Sequence, residues 1–287
     1  DSAAIVVGAN GTLTANASTV IINAYTQTSA TASTLTITTG AWTVSGNWNS
    51  SGTLAVFTQG TGIHTFDATA TITLLSTDNT FDDLTISAGT VTLATALVVT
   101  NALTISGGTF AKSTFAITSA GSLAMSGGDL TSTSGDVAIT GAVNVSSASS
   151  AIDFGTETWT VSGTWTNAST DAAGWERGAG VMTFDSATGG TMTFAGANLA
   201  EAEFFELRFN SSGATSQTFT MATRGLNIAS LLDIRDTAGG TILDKVTFTL
   251  DVGQDLIIAG SVAAGLVSTS GTVTITGGVE MSSATAY

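Results

Sequence analysis

A short strand pattern returns about every 20 residues along this chain, and it constrains the fold more than any other feature. The segments Leu84-Thr-Ile-Ser, Leu103-Thr-Ile-Ser, Leu123-Ala-Met-Ser and Val143-Asn-Val-Ser follow one another at this nearly constant spacing. Each segment alternates apolar residues with small polar ones, as a strand with one buried face does. About 20 residues is the length of one β-helix turn, in which equivalent residues of successive turns stack. The sequence therefore predicts an all-β fold, a single-chain β-solenoid (β-helix) with coils of ~20 residues.

A longer tandem duplication, at offsets of about 117 to 136 along the chain, lies above the coil repeat. The segment Trp42-Thr-Val-Ser-Gly-Asn-Trp48 returns as Trp159-Thr-Val-Ser-Gly-Thr-Trp165, and Ser132-Thr-Ser-Gly returns at Ser268. Because the offset grows, we expect insertions in the second copy, in loops around 171–178 and 233–243. We expect one continuous rod over 1–287, with internal units at about 1–41, 42–158 and 159–287. The only candidate helical turn is at 200–205.

Composition excludes several classes of partner. Charged residues are 9% of the chain, against about a quarter in an average domain, and the net charge is -15. Such a surface repels nucleic acid, and no apolar run approaches the ~18 residues that a membrane span needs. Cysteine and proline are both absent, and a long stack of strands has reason to exclude proline. The chain starts at Asp1 without a signal segment, so we expect a removed leader or a fragment of a longer protein.

The repeated segments also resemble a known group of proteins. The pattern from Trp42 to Phe110, repeated more weakly from Trp159 to Gly240, resembles the repeats of large secreted bacterial and archaeal surface proteins. These are autotransporter-like or surface-layer-like β-helix adhesins. The resemblance implies an extracellular or cell-surface location and a structural or adhesive role, and it implies no ligand.

Sugar-cleaving chemistry would need a pair of carboxylates, and Asp82, Asp83, Asp233 and Asp236 are the candidates. Neighbours in a strand point to opposite faces, so Asp82 and Asp83 should not share a groove. The basic residues are few and are expected to be solvated loop charges: Lys112, Arg177, Arg208, Arg224, Arg235 and Lys245.

The single histidine, His64, has Asp67 as its nearest acid but no Gly-x-Ser-x-Gly elbow. Its counterpart in the second copy is Met182, which indicates packing and not catalysis. We therefore predict no catalytic residues and no enzyme activity.

Metal and cofactor motifs are absent from the sequence. Two acidic loops contain Asp78, Asp82 and Asp83, and Asp251 and Asp255. Neither has EF-hand spacing. No cofactor is predicted; calcium is left open without a supporting motif.

The tryptophans and the glycosylation sequons are further candidates. Trp42 and Trp48, and likewise Trp159 and Trp165, are six residues apart, which predicts a buried pair on one strand face; Trp175 is expected in an exposed inserted loop. Possible glycosylation sites are the Asn-x-Ser/Thr sequons at Asn10, Asn16, Asn49, Asn144, Asn167 and Asn210.

The first and last segments of the sequence suggest how the protein works. Neither carries a recognisable solenoid cap. We predict a subunit interface formed by Ala3, Ala4, Ile5, Val6, Val7, Val279, Met281 and Tyr287. The partner would be another copy, giving a head-to-tail filament, sheath or surface layer. The alternative is an adhesin-type module that binds glycans, the cell envelope or a receptor.

Overall fold

The β-solenoid prediction is confirmed by a computed structural model, in which the described residues form parallel strands and no helix. The described residues are 3–75, 80–119, 121–170, 175–194, 201–212, 216–222, 224–236, 239–260 and 263–282. The chain divides into two compact units, unit 1 (Asp1–Asp136) and unit 2 (Val137–Tyr287). The single continuous rod expected over 1–287 stays a prediction.

Unit 1 is built from short strands that stack in three parallel sheets. One sheet has the order β1-β4-β7-β10-β12-β14-β17, a second has the order β2-β5-β8, and the third runs β3-β6-β9-β11-β13, with β13 pairing both β15 and β16. The strands are β1 (Ile5–Val6), β2 (Thr12–Ala15), β3 (Val20–Ile22), β4 (Tyr25–Thr26), β5 (Ser33–Ile37), β6 (Trp42–Val44), β7 (Trp48–Ser50), β8 (Ala55–Gln59), β9 (Ile63–Phe66), β10 (Ala70–Leu74), β11 (Thr80–Ile86), β12 (Thr90–Leu93), β13 (Leu97–Ile105), β14 (Thr109–Ser113), β15 (Ile117–Ser119), β16 (Ser122–Met125) and β17 (Asp129–Ser132).

Unit 2 repeats this construction with longer coils. Its sheets have the orders β20-β23, β18-β21-β24-β27-β30-β33-β36, β19-β22-β25-β28-β31-β34 and β26-β29-β32-β35. The strands are β18 (Val137–Ile139), β19 (Val143–Val145), β20 (Ala151–Asp153), β21 (Thr158–Val161), β22 (Trp165–Asn167), β23 (Trp175–Glu176), β24 (Val181–Asp185), β25 (Gly190–Phe194), β26 (Glu201–Phe204), β27 (Glu206–Ser211), β28 (Gln217–Ala222), β29 (Gly225–Ile228), β30 (Leu232–Asp236), β31 (Thr241–Asp244), β32 (Leu250–Val252), β33 (Leu256–Ala259), β34 (Ala264–Val267), β35 (Val273–Ile275) and β36 (Val279–Met281).

Hydrogen-bonded register, not only sequence similarity, defines the coil. In unit 1 Leu84 pairs with Leu103, and in unit 2 Gly190 pairs with Phe219. The number of residues between the paired positions is larger in the unit 2 pair. The extra residues of unit 2 therefore lie in the coils that contain β22, β25 and β28.

Two sequence expectations are wrong in this unit. The segment 233–243 is not an inserted loop, because most of β30 and the start of β31 occupy it. The candidate helical turn at 200–205 contains strand β26, which pairs with β29. Of the other expected insertion, around 171–178, the part at 171–174 lies outside the described residues.

Stacked apolar side chains form the core of each unit. In unit 1 one column consists of Trp42, His64, Leu84, Leu103 and Leu123, each at most 1% exposed. The corresponding column of unit 2 consists of Trp159, Met182, Leu207, Leu232, Leu256 and Val279. Because parallel pairing puts identical strand positions above one another, the members of each column that precede Val279 bury their side chains against neighbouring coils.

Glycine forms corners of unit 1 in two repeated Ser-Gly-Gly segments, which begin at Ser106 and Ser126. Gly108 and Gly128 both have φ near +70° (70° and 69°), a conformation that residues with a side chain rarely adopt. A Cβ at Gly128 would also collide with the carbonyl oxygen of Gly108 in the coil below. These glycines are therefore required by the stacking of turns.

Candidate functional site

The C-terminal coil of the described residues exposes side chains of the kind that earlier coils bury. Val279 and Met281 in β36 are 55% and 53% exposed, and Val273 in β35 is 39% exposed. They continue the columns of Leu256, Ile258 and Leu250, which are at most 4% exposed. We call Val273, Val279 and Met281 the C-terminal face. Its strands pair with β32 and β33 on one edge, and the other edge is where a further coil would stack.

The N-terminal coil contains most of the other predicted interface residues. Ala3 and Ala4 are exposed and Val6 is 70% exposed, but Val7 is only 6% exposed because it packs inside its own coil. The strand β1 is limited to Ile5–Val6 and pairs with β4. Tyr287, the remaining predicted interface residue, lies outside the described residues.

His64 is a packing residue, as its Met182 counterpart indicates. It is 0% exposed and lies among aromatic rings, with its centroid 4.8 Å from that of Phe81 and 5.4 Å from that of Trp48. Neither ring nitrogen has a hydrogen-bond partner among the residues that the structure describes. Burial lowers the pKa of His64 to about 3, because the charged imidazolium would be desolvated.

The expectation that Asp82 and Asp83 point to opposite faces is wrong. The register shifts between Phe81 and Asp83, so a β-bulge leaves both carboxylates on the outside while Phe81 and Leu84 stay buried. Asp83 accepts hydrogen bonds from the Asn101 side-chain amide (2.8 Å) and the Ala102 N–H (3.1 Å), and Asp82 accepts one from the Thr100 hydroxyl (2.9 Å). Both carboxylates thus bridge neighbouring coils.

Asp233 and Asp236 also accept hydrogen bonds from described residues of the chain. Asp233 accepts hydrogen bonds from the Arg235 guanidinium at 2.7 Å, and Asp236 accepts the Ala263 N–H at 2.9 Å. These hydrogen bonds account for the positions of both carboxylates without a bound substrate.

The expectation that all basic residues are solvated loop charges is wrong for two of them. Lys112 and Lys245 are both 0% exposed, and their ammonium groups donate to backbone carbonyls. A signal in the sequence could have found them, since Lys112-Ser-Thr-Phe115 returns in the second copy as Lys245-Val-Thr-Phe248. In contrast, the Arg208 and Arg235 side chains are about half exposed (47% and 53%).

The tryptophans are buried, as predicted, but their arrangement differs from the prediction. Trp42, Trp48, Trp159 and Trp165 are at most 1% exposed. The members of a pair do not share one strand face, because Trp42 lies in β6 and Trp48 in β7, which belong to different sheets and meet across the core at 5.9 Å between ring centroids. Trp175 begins strand β23, and its side chain lies outside the described residues.

Unit 2 has a small cleft beside Trp159. The cavity has a volume of about 20 Å³, enough for a water molecule. Its lining includes Glu157, Arg177, Phe205 and Glu206. The indole N–H of Trp159 donates to Glu157 at 3.1 Å, and Phe205 is 37% exposed. An exposed ring beside charged groups is a surface that can contact a polar ligand.

The predicted sequons differ in accessibility. Asn10, Asn16 and Asn144 are exposed, and Asn49 and Asn210 are half-buried. Asn167 is only 4% exposed and its side-chain oxygen accepts the Ser169 N–H at 2.8 Å. The folded chain therefore offers Asn10, Asn16 and Asn144 to a modifying enzyme more readily than Asn167.

In the part of the chain that the structure describes, no group of three or more His, Cys, Asp or Glu residues could hold a metal ion. Of the two acidic loops, Asp78 lies outside that part, and Asp255 accepts the Gly278 N–H at 2.7 Å. The same described residues contain no helix long and apolar enough to cross a membrane. Comparisons with protein-family models, curated proteins and solved structures find no match to this sequence.

Proposed function

We propose that this chain is a non-enzymatic structural protein of the cell exterior that assembles head to tail into a filament, sheath or surface layer. The observation that carries the proposal is the C-terminal face, where Val273, Val279 and Met281 continue buried columns yet are 39–55% exposed. Exposed apolar side chains beside an unpaired strand edge favour the addition of another strand.

The occupant we propose for this face is the N-terminal coil of a second copy. That coil offers short parallel strands with apolar inward residues at Ile5, Val7 and Ile22. Stacking it on β35 and β36 would continue the parallel ladder and cover the three exposed side chains. Such a contact joins two different surfaces, so it does not close and it propagates into a filament.

The extracellular location rests on two supports from the sequence. The repeats resemble those of secreted surface proteins, and the outward positions of the coils are occupied largely by threonine in unit 1, as in the register column Thr43, Thr65, Thr85 and Thr104. The net charge of -15 keeps such a protein soluble although few of its residues are charged, and solubility does not require a basic partner.

Charge on the C-terminal face should block assembly. We expect the wild-type chain to form concentration-dependent linear particles, detected by sedimentation velocity and negative-stain microscopy. The double substitution Val279→Lys and Met281→Lys should leave monomers, because burying two ammonium groups among apolar side chains without compensating acceptors is costly. Deletion of residues 1–7 should have the same effect through the other surface.

A matched control is Val56→Lys, which puts a lysine on an exposed position (44% exposed) of the outward face of β8. This variant should assemble like the wild type. A monomeric wild type at all concentrations, or filaments that persist in both the face variant and the deletion variant, would contradict the proposal.

The second candidate is an adhesin-type module that binds a glycan or a receptor. The cleft beside Trp159 favours it, because Phe205 is exposed next to Arg177 and Glu206. Glycan-array binding that is lost in Phe205→Ala and retained in Val56→Lys would support this function. Glycan binding that both variants retain would contradict a glycan site at this cleft.

A further inference from the structure

The two buried lysines occupy equivalent turns of the two units. Lys112 lies near the end of β14 and Lys245 directly follows β31. Each is followed by a Thr-Phe pair at the same spacing, and each is 0% exposed. A lysine is almost never fully buried unless its charge is compensated, and here the burial occurs twice at the same structural position.

Backbone carbonyls from two successive coils converge on each ammonium. Lys112 Nζ donates to the Phe115 carbonyl of its own turn (3.4 Å) and to the carbonyls of Ser134 (2.6 Å) and Gly135 in the next coil. Lys245 Nζ donates in the same way to the carbonyls of Phe248 and Ser270, both at 2.7 Å. The two sites therefore have the same arrangement of hydrogen-bond acceptors. Each consists of one carbonyl from the lysine's own turn and at least one from the next coil.

The backbone around each lysine is unusual and is shaped to the site. The residue after the lysine has a positive φ, 56° at Ser113 and 52° at Val246, and a β-branched residue in this region is strained. Its carbonyl accepts two N–H groups of the next coil, from Thr133 and Ser134 in unit 1. The same pattern recurs in unit 2, where Val246 accepts the N–H groups of Thr269 and Ser270.

Glycine completes the site in both units. Gly135 and Gly271 have φ of 87° and 89°. A Cβ at Gly271 would lie 3.0 Å from Lys245 Nζ, so a side chain there would intrude on the ammonium as well as strain the backbone. The Ser-Thr-Ser-Gly segments that end at these positions are thus part of the same two-coil motif as the Lys-x-Thr-Phe segments.

We infer that each pair of turns is a cation site for a primary ammonium group, which the chain fills with its own lysine to lock two successive coils in register. A primary ammonium has three donors, which suits carbonyls arriving from separate turns. Charge-assisted hydrogen bonds offset the desolvation of the ammonium. Without the lysine, converging carbonyl oxygens would be buried with no donor between them.

The test replaces the lysine and supplies the cation from solution. In Lys112→Ala we expect the amides of Thr133 and Ser134 to exchange hydrogen at least about tenfold faster than in the wild type, because the turn of the next coil loses its anchor. Propylammonium chloride, whose three carbons and ammonium match the atoms that the alanine variant lacks, should restore slow exchange. Tetramethylammonium chloride at the same concentration has no N–H donor and should not.

Two controls separate the charge from packing. Lys112→Met fills the channel of the side chain without a charge, so its exchange should be fast in both salts. Lys245→Ala should accelerate Thr269 and Ser270 and leave Thr133 and Ser134 unchanged. If Lys112→Ala does not fold, the yield of refolding in each salt is measured instead, and recovery in propylammonium alone supports the site. Wild-type exchange in Lys112→Met, or equal effects of the two salts, would overturn the inference.

Discussion

The two units place different side chains at equivalent positions of one core column. In unit 1 the column is Trp42, His64 and Leu84, and in unit 2 it is Trp159, Met182 and Leu207. His64 and Met182 are both buried, at 0% and 3% exposure. The column therefore tolerates a change from imidazole to thioether as long as the position is filled, which is what close packing between coils demands.

The outward positions differ more than the inward ones. The column Thr43, Thr65, Thr85, Thr104 of unit 1 corresponds to Thr160, Thr183, Arg208, Asp233 in unit 2. Apart from Asp233, which is only 5% exposed, the side chains on this face contact solvent as well as their neighbours along the column. A β-branched residue and a long charged one can therefore both be accommodated. The comparison shows that inward positions preserve volume and burial, while outward positions are free to diverge.

The largest effect should come from emptying the inward position that both units share. Trp48 and Trp165 are both 0% exposed, so Trp48→Ala or Trp165→Ala should lower the free energy of unfolding by about 3–5 kcal/mol. Urea denaturation gives the total loss, and hydrogen exchange resolved along the chain assigns it to a unit. We expect each substitution to accelerate exchange mainly in its own unit.

Trp48→Phe is the control for volume, and it should cost less than the alanine variant because most of the cavity stays filled. A loss below about 1 kcal/mol for either alanine variant would break the equivalence of the two cores.

Acid should distinguish the units through His64. The pKa of His64 falls from 6.5 to about 3 on burial. Between pH 6.5 and about pH 3, the unfolded chain therefore binds a proton at His64 that the folded chain does not bind. The stability contributed by neutral His64 is complete above pH 6.5 and is lost as the pH falls toward 3, by about 3 kcal/mol at pH 4. Its surroundings are the rings of Trp42, Trp48, Phe57 and Phe81, and Tyr25, a further titratable group of this cluster, stacks on Trp48.

The reciprocal exchange of residues sharpens this prediction. His64→Met should remove the acid-dependent loss from unit 1, and Met182→His should introduce one into unit 2. Denaturation midpoints at pH 7 and pH 4 provide the measurement. Equal pH dependence in the wild type and His64→Met would show that other groups dominate the acid response.

The fold could be predicted because the spacing at which the strand pattern repeats in the sequence is also the separation between residues that pair in neighbouring strands. Leu84 and Leu103 begin similar segments one coil apart in the sequence, and they are also direct neighbours in the sheet. Burial follows from the same alternation, so the inward leucines and the packing role of His64 were accessible from sequence. The assembly interface stays a prediction, because it depends on contacts between copies.

Other features depended on local geometry that the repeat pattern does not encode. The register between β11 and β13 shifts by one residue, because Thr100 and Asn101 of β13 oppose the single residue Asp82 of β11, and alternation alone predicts opposite faces for Asp82 and Asp83. The Ser-Gly-Asn segment between Trp42 and Trp48 is a turn signal that separates the pair onto two strands. The rarity of buried lysine predicts a solvated Lys112, and only the repeated Lys-x-Thr-Phe segment indicates otherwise.

The smallest effect should come from making the outward face of unit 2 resemble that of unit 1. Arg208 pairs with Glu206 at 2.5 Å, but its side chain is 47% exposed. Because solvent screens such a pair, Arg208→Thr should change the free energy of unfolding by less than about 1 kcal/mol, and high salt should reduce even this difference. Urea denaturation at low and high salt provides the measurement, with Thr85→Ser in unit 1 as a neutral control.

A salt-independent loss of more than about 2 kcal/mol would show that the outward columns are not free to diverge. The distinction between inward and outward positions would then fail for unit 2, since an exposed guanidinium would be as necessary to the coil as the buried leucines of the same strands.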